Sequence, residues 1–559
     1  MEKILRIFGK EYGSVNQAAL LLGCFAFLTQ ILGLFRDRFI AHMIGPSPIL
    51  DAYYAAFRIP DLIFTSIASL ASVTVIIPFI LERMKDGAVT PSARKFLNDV
   101  FTVFFMAIIV VCIIIFLFMP QISNLIVPGF SPEMQIKVVE LSRIMLLSPI
   151  LLGLSNLFGS ITQLFRKFLF YSLSPLFYNA GVIIGIVFLY PIAGIFGLAF
   201  GVVFGALMHF LIQAFTSARC GFTPRFSNAI NFKDIQKVIA VSFPRTLGLS
   251  FNSVALILIV SLASFLKGGS ISIFNLSLNL QSVPLGIIGL AFSVAAFPTL
   301  SRSFSAGKID DFKRELKNTA RQIVFLSLPI TFLFIVLRAQ IVRVILGSGA
   351  FSWENTRLVA ASLAVFSISI VAQGLMHLFS RSYYASGNTK RPLFVNLISS
   401  ISIVLFSLLF LFLFKNVSLF KDFIESLLKV SDLPGTDILM LPLAYSAGTI
   451  LNVILLWLFI KRDFMSGEYF ISKTFFQSLS ASFFIGGVSY LSLNHFATIF
   501  NIETFWGILG QGFISGVLGI LAGIVVLYLL KSQELKDIAT TLHTKFWRAK
   551  VVAPPAEGL

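Results

Sequence analysis

Apolar runs of about twenty residues recur along the whole chain, and they restrict its fold more than any other feature. A helix needs about 20 apolar residues to cross the roughly 30 Å hydrocarbon core of a bilayer. Fourteen such runs lie approximately at 16–36, 52–81, 97–119, 138–164, 169–190, 193–217, 236–265, 271–299, 320–338, 358–384, 392–414, 438–460, 474–493 and 504–530. Hydrophobic residues make up 57% of the 559 residues and charged residues only 12%, which does not fit a soluble globular protein. The sequence therefore predicts an all-α polytopic membrane protein with about 14 transmembrane helices.

The positions of the basic residues predict how these helices are oriented. Cytoplasmic loops carry more Lys and Arg than exterior loops do. If the N-terminus is inside, 30 of the 43 basic residues fall in cytoplasmic segments and 10 in exterior ones. We therefore expect both termini in the cytoplasm, with the basic segment 1–14 preceding a first span that is retained. The formal net charge of +18 does not indicate nucleic acid, because the basic residues form short clusters and not one basic face.

Three short sequence patterns occur twice in the chain, in the same order. The paired segments are 129–133 with 350–354, 175–179 with 392–396, and those that follow Pro78 and Pro298. The second copy follows the first at nearly the same offset in all three cases, which indicates an internal repeat. Six spans separate matched elements, and an even number gives both halves the same orientation. The sequence thus predicts two parallel six-helix repeats around a central cavity, where a substrate path is expected.

This repeat sets the predicted domain boundaries. An N-terminal six-helix half covers 1–217, a C-terminal six-helix half covers 218–460, and two additional C-terminal spans occupy 461–530. The remaining residues, 531–559, form a basic cytoplasmic tail that is expected to rest near the headgroups.

Motifs for catalysis and for metal binding are missing from the sequence. The five histidines are scattered, with no H-E-x-x-H pair, and no G-x-x-x-x-G-K-[ST] phosphate loop occurs. Cys24, Cys112 and Cys220 match no disulfide or zinc pattern. We therefore expect neither an enzyme nor a metal or cofactor site. Any transport must draw on an ion gradient, the membrane potential or downhill substrate flow.

Ionised side chains around the first two spans are the candidate functional residues, because a charge in hydrocarbon is costly unless it faces water or a partner. Arg36 ends the first span, where its guanidinium can either bind a phosphate or snorkel to the headgroups. Arg58 lies deeper, and a cavity role is favoured over a structural one. Asp51 can orient Arg36 across a cavity or cap the second span. Asp37 and Arg38 are expected to form a solvated exterior turn.

Polar amides in the eighth span form a second group of candidates. Asn275, Asn279 and Gln281 precede Pro284, in the counterpart of the Arg58 region. Amide side chains in a membrane either line a cavity or join helices through hydrogen bonds, and the sequence leaves both alternatives open.

Several short motifs of the sequence together resemble those of one known family. They are Leu-Gly-x-x-Arg-Asp at 32–37, Asp-Ala-x-x-x-Ala-Phe-x-x-Pro at 51–60, Val-Pro-Gly-Phe at 127–130, Gly-Ala-Phe at 349–351 and the run from Tyr383 to Pro392. The sequence is similar to the MurJ/MviN family, lipid II flippases of the multidrug/oligosaccharidyl-lipid/polysaccharide transporter superfamily. The fourteen predicted spans also match that family's architecture. Three positions where the family usually carries arginines are occupied here by Gln30, Phe64 and Asn279. The resemblance therefore implies a site with fewer cationic residues than the family usually has.

The resemblance implies a flippase that moves lipid II, the lipid-linked peptidoglycan precursor of cell wall biogenesis, by alternating access across the bacterial cytoplasmic (inner) membrane. Arg36 and Arg58 would bind the diphosphate, Asp51 would position Arg36, and Gln30 and Asn279 would hydrogen-bond phosphate or sugar. Membrane lipids and cell-wall synthesis proteins are further expected partners. Two alternatives are an exporter of another polyprenyl-linked saccharide or amphiphilic drug, and a transport-inactive scaffold for envelope assembly.

Overall fold

The computed structural model describes residues 15–68, 73–84, 90–465 and 472–542. Within these ranges the chain forms α-helices, three π-helices and one 3₁₀-helix, and no β-strand. The basic segment 1–14 and the part of the predicted tail beyond residue 542 lie outside the described residues.

The helices are numbered in chain order. The first twelve are α1 (Val15–Met43), α2 (Pro48–Ala56), α3 (Arg58–Ile63), α4 (Val73–Leu81), α5 (Pro91–Ile126), α6 (Pro132–Met145), α7 (Leu147–Leu164), α8 (Phe168–Ile184), α9 (Tyr190–Ala193), α10 (Ile195–Arg219), α11 (Phe232–Ala263) and α12 (Ser270–Pro284). The others are α13 (Ala291–Ser305), α14 (Ile309–Val336), α15 (Arg338–Leu346), α16 (Trp353–Ser367), α17 (Ile370–Ala385), α18 (Lys390–Asn416), α19 (Ser418–Leu428), α20 (Met440–Asp463), α21 (Ser472–Phe496), α22 (Phe505–Leu529) and α23 (Gln533–Leu542).

The described helices have the length and apolar character of membrane spans. Ten are long and apolar enough to cross a bilayer, and α16 with α17, counted as one broken span, makes eleven. Where the structure describes them, the fourteen predicted runs lie mainly on helices, and several of them, among them 52–81, 138–164 and 358–384, are divided between more than one helix. The prediction of an all-α polytopic membrane protein is therefore confirmed, with fourteen as an approximate count of spans.

The described chain divides into two compact units. The first contains Met1–Val283, Val342–Ser369 and Gly387–Trp457. The second contains Pro284–Ile341, Ile370–Ser386 and Leu458–Leu559.

In the first unit, close packing of α8 fixes the helix that carries Asn179. Both α1 and α10 pack against α8. A Cβ atom added to Gly181 of α8 would lie 2.3 Å from Cα of Gly205 in α10. Because the two backbones touch here, neither position accepts a side chain, and α8 is held in register against α10.

In the second unit, the C-terminal helices share an apolar core. Phe325, Ala481 and Leu527, from α14, α21 and α22, pack together, and Leu535 of α23 packs against them. Burial of these side chains holds the short helix α23 against the three longer helices.

Two of the three described π-helices lie at equivalent positions of the sequence repeat. They are Phe64–Ala68 and Leu285–Leu290, and the offset between them is that of the repeated motifs. A π-helix closes its hydrogen bonds one residue later than an α-helix and so accommodates an extra residue. Phe64–Ala68 follows the stretch that carries Arg58, and Leu285–Leu290 follows the stretch that carries Asn275 and Asn279. Each π-helix therefore affects the orientation of the helix that presents those side chains.

Candidate functional site

Arg36 and Asp37 form an ion pair inside α1. Nε and Nη2 of Arg36 donate to the same carboxylate oxygen, Oδ1 of Asp37, at 3.0 and 2.8 Å. The Asp37 side chain is only 4% exposed, whereas that of Arg36 is 28% exposed. Attraction between charges is weakly screened away from water. The carboxylate thus holds the guanidinium in one orientation, while part of the guanidinium stays accessible.

Two asparagines from other helices complete this pair. Asn279 of α12 donates from Nδ2 to Oδ2 of Asp37 at 3.0 Å. Arg36 donates from Nη1 to Oδ1 of Asn179 in α8 at 3.3 Å. Four side chains therefore link α1, α8 and α12, and both oxygens of the Asp37 carboxylate accept hydrogen bonds.

Arg58 is the second cation of the site, and it is 8% exposed. Its Nη2 donates to Oδ1 of Asn275 in α12 at 2.6 Å. Its Nε is buried and has no hydrogen-bond partner among the described residues. A buried donor without a partner costs about 1–3 kcal/mol. Arg58 therefore retains an unused hydrogen-bond donor within the helical bundle.

Acidic and aromatic side chains surround the two arginines. Asp61 interacts electrostatically with Arg58 and with Arg36, and it is exposed to solvent. Tyr53 and Tyr54 of α2 lie near Arg36. Arg36, Arg58 and their partners, hereafter the arginine cluster, therefore bring charged and polar side chains together inside an otherwise apolar bundle.

Asp51 joins the first residues of α2 to the start of α12. Its carboxylate accepts hydrogen bonds from the backbone N–H of Gly269 at 2.6 Å, the backbone N–H of Ser272 at 2.7 Å and Oγ of Ser272 at 2.6 Å. The side chain is 2% exposed. An aspartate that accepts from the first N–H groups of a helix caps that helix and complements its dipole. Asp51 therefore caps α12 from α2.

The bonded residues of these helices are separated by nearly the same number of positions as the paired sequence motifs. Arg58 and Asn275 are 217 positions apart, and Asp51 lies 218 positions from Gly269 and 221 from Ser272. The division into two six-helix halves stays a prediction.

The structure places the five predicted site residues in three situations. Arg36 and Asn279 meet through Asp37, and Arg58 belongs to the same cluster through Asp61. Asp51 is bonded to the start of α12, and the partner of Arg36 is the adjacent Asp37. Gln30 is half-buried on α1 and has no hydrogen bond to a described residue. No group of three or more His, Cys, Asp or Glu side chains in the described ranges could hold a metal ion.

The expectation of a solvated turn at Asp37 and Arg38 is wrong. Helix α1 continues to Met43, and Asp37 is 3% exposed. Arg38 donates from Nη1 to the backbone carbonyls of Val344 and Ile345 at 2.6 and 3.2 Å. The end of an apolar run is not the end of a helix when the next charges are paired inside the protein. Asp37 and Asn179 are therefore two residues of the cluster that the sequence did not predict. The signal for Asp37 was its place directly after Arg36.

A bundle of apolar helices with arginines paired to polar side chains inside it is typical of a multi-pass membrane transporter. The sequence model of the family described as "Lipid II flippase MurJ" matches residues 40–509. The chain belongs to the MurJ family of lipid II flippases, and the resemblance seen in the motifs is confirmed.

Individual relatives agree with this assignment. A probable lipid II flippase MurJ of Rickettsia prowazekii is 29% identical over 390 residues, which cover 69% of this chain and 76% of the relative. Another, from Thermotoga maritima, is 27% identical over 374 residues, which cover 67% and 75%. A lipid II flippase MurJ from Burkholderia cenocepacia is 24% identical over 384 residues, which cover 67% and 74%.

Solved structures show the same fold. A lipid II flippase MurJ in an inward closed conformation superposes with a TM-score of 0.73 at 24% identity, over 93% of this chain and all of that one. An inward-facing multidrug resistance transporter of the MATE family superposes with a TM-score of 0.62 at 14% identity, over 79% of this chain and 97% of that one. At these identities the likeness concerns the fold alone.

Proposed function

We propose that this protein is a flippase that moves lipid II from the cytoplasmic to the outer leaflet by alternating access. The observation that carries the proposal is the arginine cluster, in a chain that belongs to the lipid II flippase family. Two guanidinium groups in an otherwise apolar bundle suit a diphosphate, because charge-assisted hydrogen bonds are strong where water is limited. The polyprenyl tail would stay in the bilayer.

Within this proposal, each polar residue has a distinct task. Arg36 offers its accessible face to one phosphate, while Asp37 keeps the guanidinium in place when the site is empty. Arg58, oriented by Asn275, contributes the unused Nε donor to the second phosphate. Asn279 and Gln30 line the approach to phosphate or sugar.

The link between Asp51 and α12 fits the closed side of an alternating-access cycle. In the proposed arrangement, the chain forms two parallel six-helix halves, 1–217 and 218–460. Two further helices lie within 461–530, and a tail begins at residue 531. In the proposed topology both termini are cytoplasmic and the protein lies in the bacterial inner membrane, so the Asp51 contact lies near the exterior surface. Breaking three hydrogen bonds there would accompany exterior opening.

Export of lipid II by a bacterium that lacks its own flippase is the direct test. Cells that produce the wild-type chain should export the lipid-linked precursor, and Arg36→Ala should abolish export while protein abundance holds. Arg143→Ala is the matched control, because Arg143 also lies in a predicted span but contacts Phe116, with its guanidinium 4.7 Å from the ring centre. Wild-type export by the Arg36→Ala variant would contradict the assignment.

A second candidate is export of another polyprenyl-linked saccharide or an amphiphilic drug. It is favoured by the amide of Asn279 and the Asp37 carboxylate, which make the site less cationic than two arginines alone. Binding of purified protein to lipid II, to a different polyprenyl-linked glycan and to a cationic drug separates the candidates. A protein that binds none of the three would favour the scaffold alternative.

A further inference from the structure

Helix α19, which follows α18 directly, carries an exposed apolar stripe. Its three side chains are 79%, 59% and 60% exposed in chain order, and they are Leu419, Phe423 and Leu427. Residues four positions apart are neighbours on one face of a helix. Exposed apolar side chains that form one patch mark a contact with protein or membrane. We propose that this stripe inserts into the bilayer, at the boundary between the headgroups and the acyl chains of the adjacent leaflet.

The other faces of α19 meet protein and water. Glu425 and Leu428 face the protein and are 6% and 9% exposed. A row of polar side chains is exposed at the same spacing as the stripe and consists of Ser418, Asp422 and Ser426. Successive residues of a helix are about 100° apart, so this polar row runs beside the apolar stripe. A helix with separate apolar and polar exposed faces is typical of helices that lie in the plane of a membrane interface.

The stripe continues the exposed apolar surface of α18, which is long and apolar enough to span a membrane. That surface contains large side chains at intervals of three or four residues, and they include Ile401, Leu405, Leu408 and Phe412. Such a spacing places them on one face of the span, where lipid covers them. Helix α18 ends at Asn416, and α19 begins at Ser418. The stripe therefore begins where the span ends, next to the membrane surface.

Packing and hydrogen bonds fix α19 in this orientation. Phe420 packs against Phe410 of α18, with ring centres 6.5 Å apart. The carboxylate of Glu425 accepts a hydrogen bond from Oγ1 of Thr436 at 2.5 Å. Arg357 of α16 donates from Nη2 to the backbone carbonyl of Lys429 at 2.6 Å. The helix is thus held at both ends, and insertion of its exposed stripe would cost little conformational entropy.

A lipid surface fits this stripe better than a second protein does. Each partner of a stable protein–protein interface contributes about 20–30 residues, whereas the stripe has three side chains. The stripe is also continuous with the surface of α18 that lipid covers. At the membrane surface, the apolar stripe would contact acyl chains while the polar row beside it stays in water.

Spin labels on the full-length protein in phosphatidylcholine liposomes test the proposal. The native cysteines are replaced by serine, and one nitroxide at a time is attached after Leu419→Cys, Phe423→Cys or Leu427→Cys. Power saturation measures collisions of the label with O₂, which partitions into the bilayer, and with the water-soluble nickel complex NiEDDA. Labels on the stripe should collide several-fold more often with O₂ than with NiEDDA.

Two sets of labels provide the references. Asp422→Cys and Ser426→Cys are the matched controls, because these residues are exposed on the same helix but belong to the polar row. Their labels should collide more often with NiEDDA than with O₂. Leu405→Cys, at a position of α18 that is 58% exposed, reports the hydrocarbon. Its ratio of O₂ to NiEDDA collisions should exceed that of the stripe, because an interfacial helix is buried only about 5–10 Å into the headgroup and acyl boundary.

Three results would overturn the proposal. Collisions with NiEDDA as frequent at the stripe as at Asp422→Cys would place the stripe in water. Rare collisions with both reagents would show that protein covers it, and spin–spin broadening would identify that protein as a second copy. A ratio equal to that of Leu405→Cys would place α19 inside the hydrocarbon. Thermal unfolding verifies the fold of each labelled variant, and the three positions of the stripe report independently.

Discussion

Arg58 and Asn275 are joined by a hydrogen bond of 2.6 Å across 217 positions of sequence. The bond connects α3 to α12. It holds a cation that is 8% exposed in the interior of the bundle, with one donor unused. Under the proposed function, a phosphate of the substrate would bind where α3 meets α12.

Replacing Arg58 by Gln should lower affinity for a diphosphate-linked lipid at least tenfold. The variant keeps a polar side chain at this position but removes the charge, and a hydrogen bond to a charged group contributes about 1.5–3 kcal/mol. Titration of purified protein with lipid II measures the loss. Arg143→Gln serves as the control and should bind as the wild type does. Equal loss in both variants would refute a specific role for Arg58.

Replacing Asp37 by Asn should lower thermal stability, because Arg36 would keep its charge and lose its carboxylate partner. Breaking a buried ion pair from one side costs about 3–5 kcal/mol, and the partial exposure of Arg36, 28%, reduces that figure. The double variant Arg36→Gln with Asp37→Asn should regain part of the loss. Unfolding temperatures of the four proteins form a double-mutant cycle. Additive effects would mean that the two residues do not act as a pair.

Removing the Asp51 cap should loosen the contact between α2 and α12. In Asp51→Ala, the N–H groups of Gly269 and Ser272 lose their acceptor, and a lost cap costs about 0.5–2 kcal/mol. With the native cysteines replaced by serine, Ala55→Cys places a thiol at a position that is 1% exposed. This thiol should react faster in Asp51→Ala with a maleimide that does not cross the membrane. Cysteine-labelling rates measured from the exterior provide the readout.

Ser47→Ala is the matched control for that experiment. Ser47 caps α2 within its own half, where its Oγ accepts from the backbone N–H of Leu50 at 3.3 Å. Its loss should lower stability slightly and leave the labelling rate unchanged. Faster labelling in both variants would indicate general loosening instead of a contact between the halves.

The docking of α23 should depend on pH through Glu534. Burial alone would raise the pKa of Glu534, but hydrogen bonds from Thr474 and Ser532 and the charge of Arg321 outweigh it and lower the pKa below its usual range. A lowered pKa in the folded state means that the stabilisation is complete above the pKa of an unfolded glutamate, about 4.3, and is lost as pH falls below it.

Hydrogen exchange of residues 533–542 at pH 6 and pH 3.5 measures this effect. The protection factors of these amides, which correct for the slower intrinsic exchange at low pH, should fall at pH 3.5 in the wild type, and much less in Glu534→Gln, whose amide does not titrate. An equal fall in both proteins would show that another group controls α23.

Local sequence was enough to place the helices and two of the arginines, because apolar runs of span length and isolated charges within them are local signals. The residues that pair with these charges could not be predicted from the sequence. Adjacent residues do not share a helix face, so the Arg36–Asp37 pair depends on the long arginine side chain turning back along α1. The partners of Asp51 lie at Gly269 and Ser272, which only the folded chain brings near.

The position of Gln30 shows a second limit on predicting the site from the sequence. Gln30 and Arg36 are six positions apart, and at about 3.6 residues per turn their side chains point in different directions. Gln30 therefore enters the proposed site through the family motif and not through helix geometry, and its role stays a prediction.

The π-helices at Phe64–Ala68 and Leu285–Leu290 also bear on the contact between Arg58 and Asn275. A π-helix accommodates one residue more than the α-helix it interrupts. The chain is therefore irregularly hydrogen-bonded a few residues beyond Arg58 and again a few residues beyond Asn275, so both partners of this contact are presented by helices that soon depart from regular geometry.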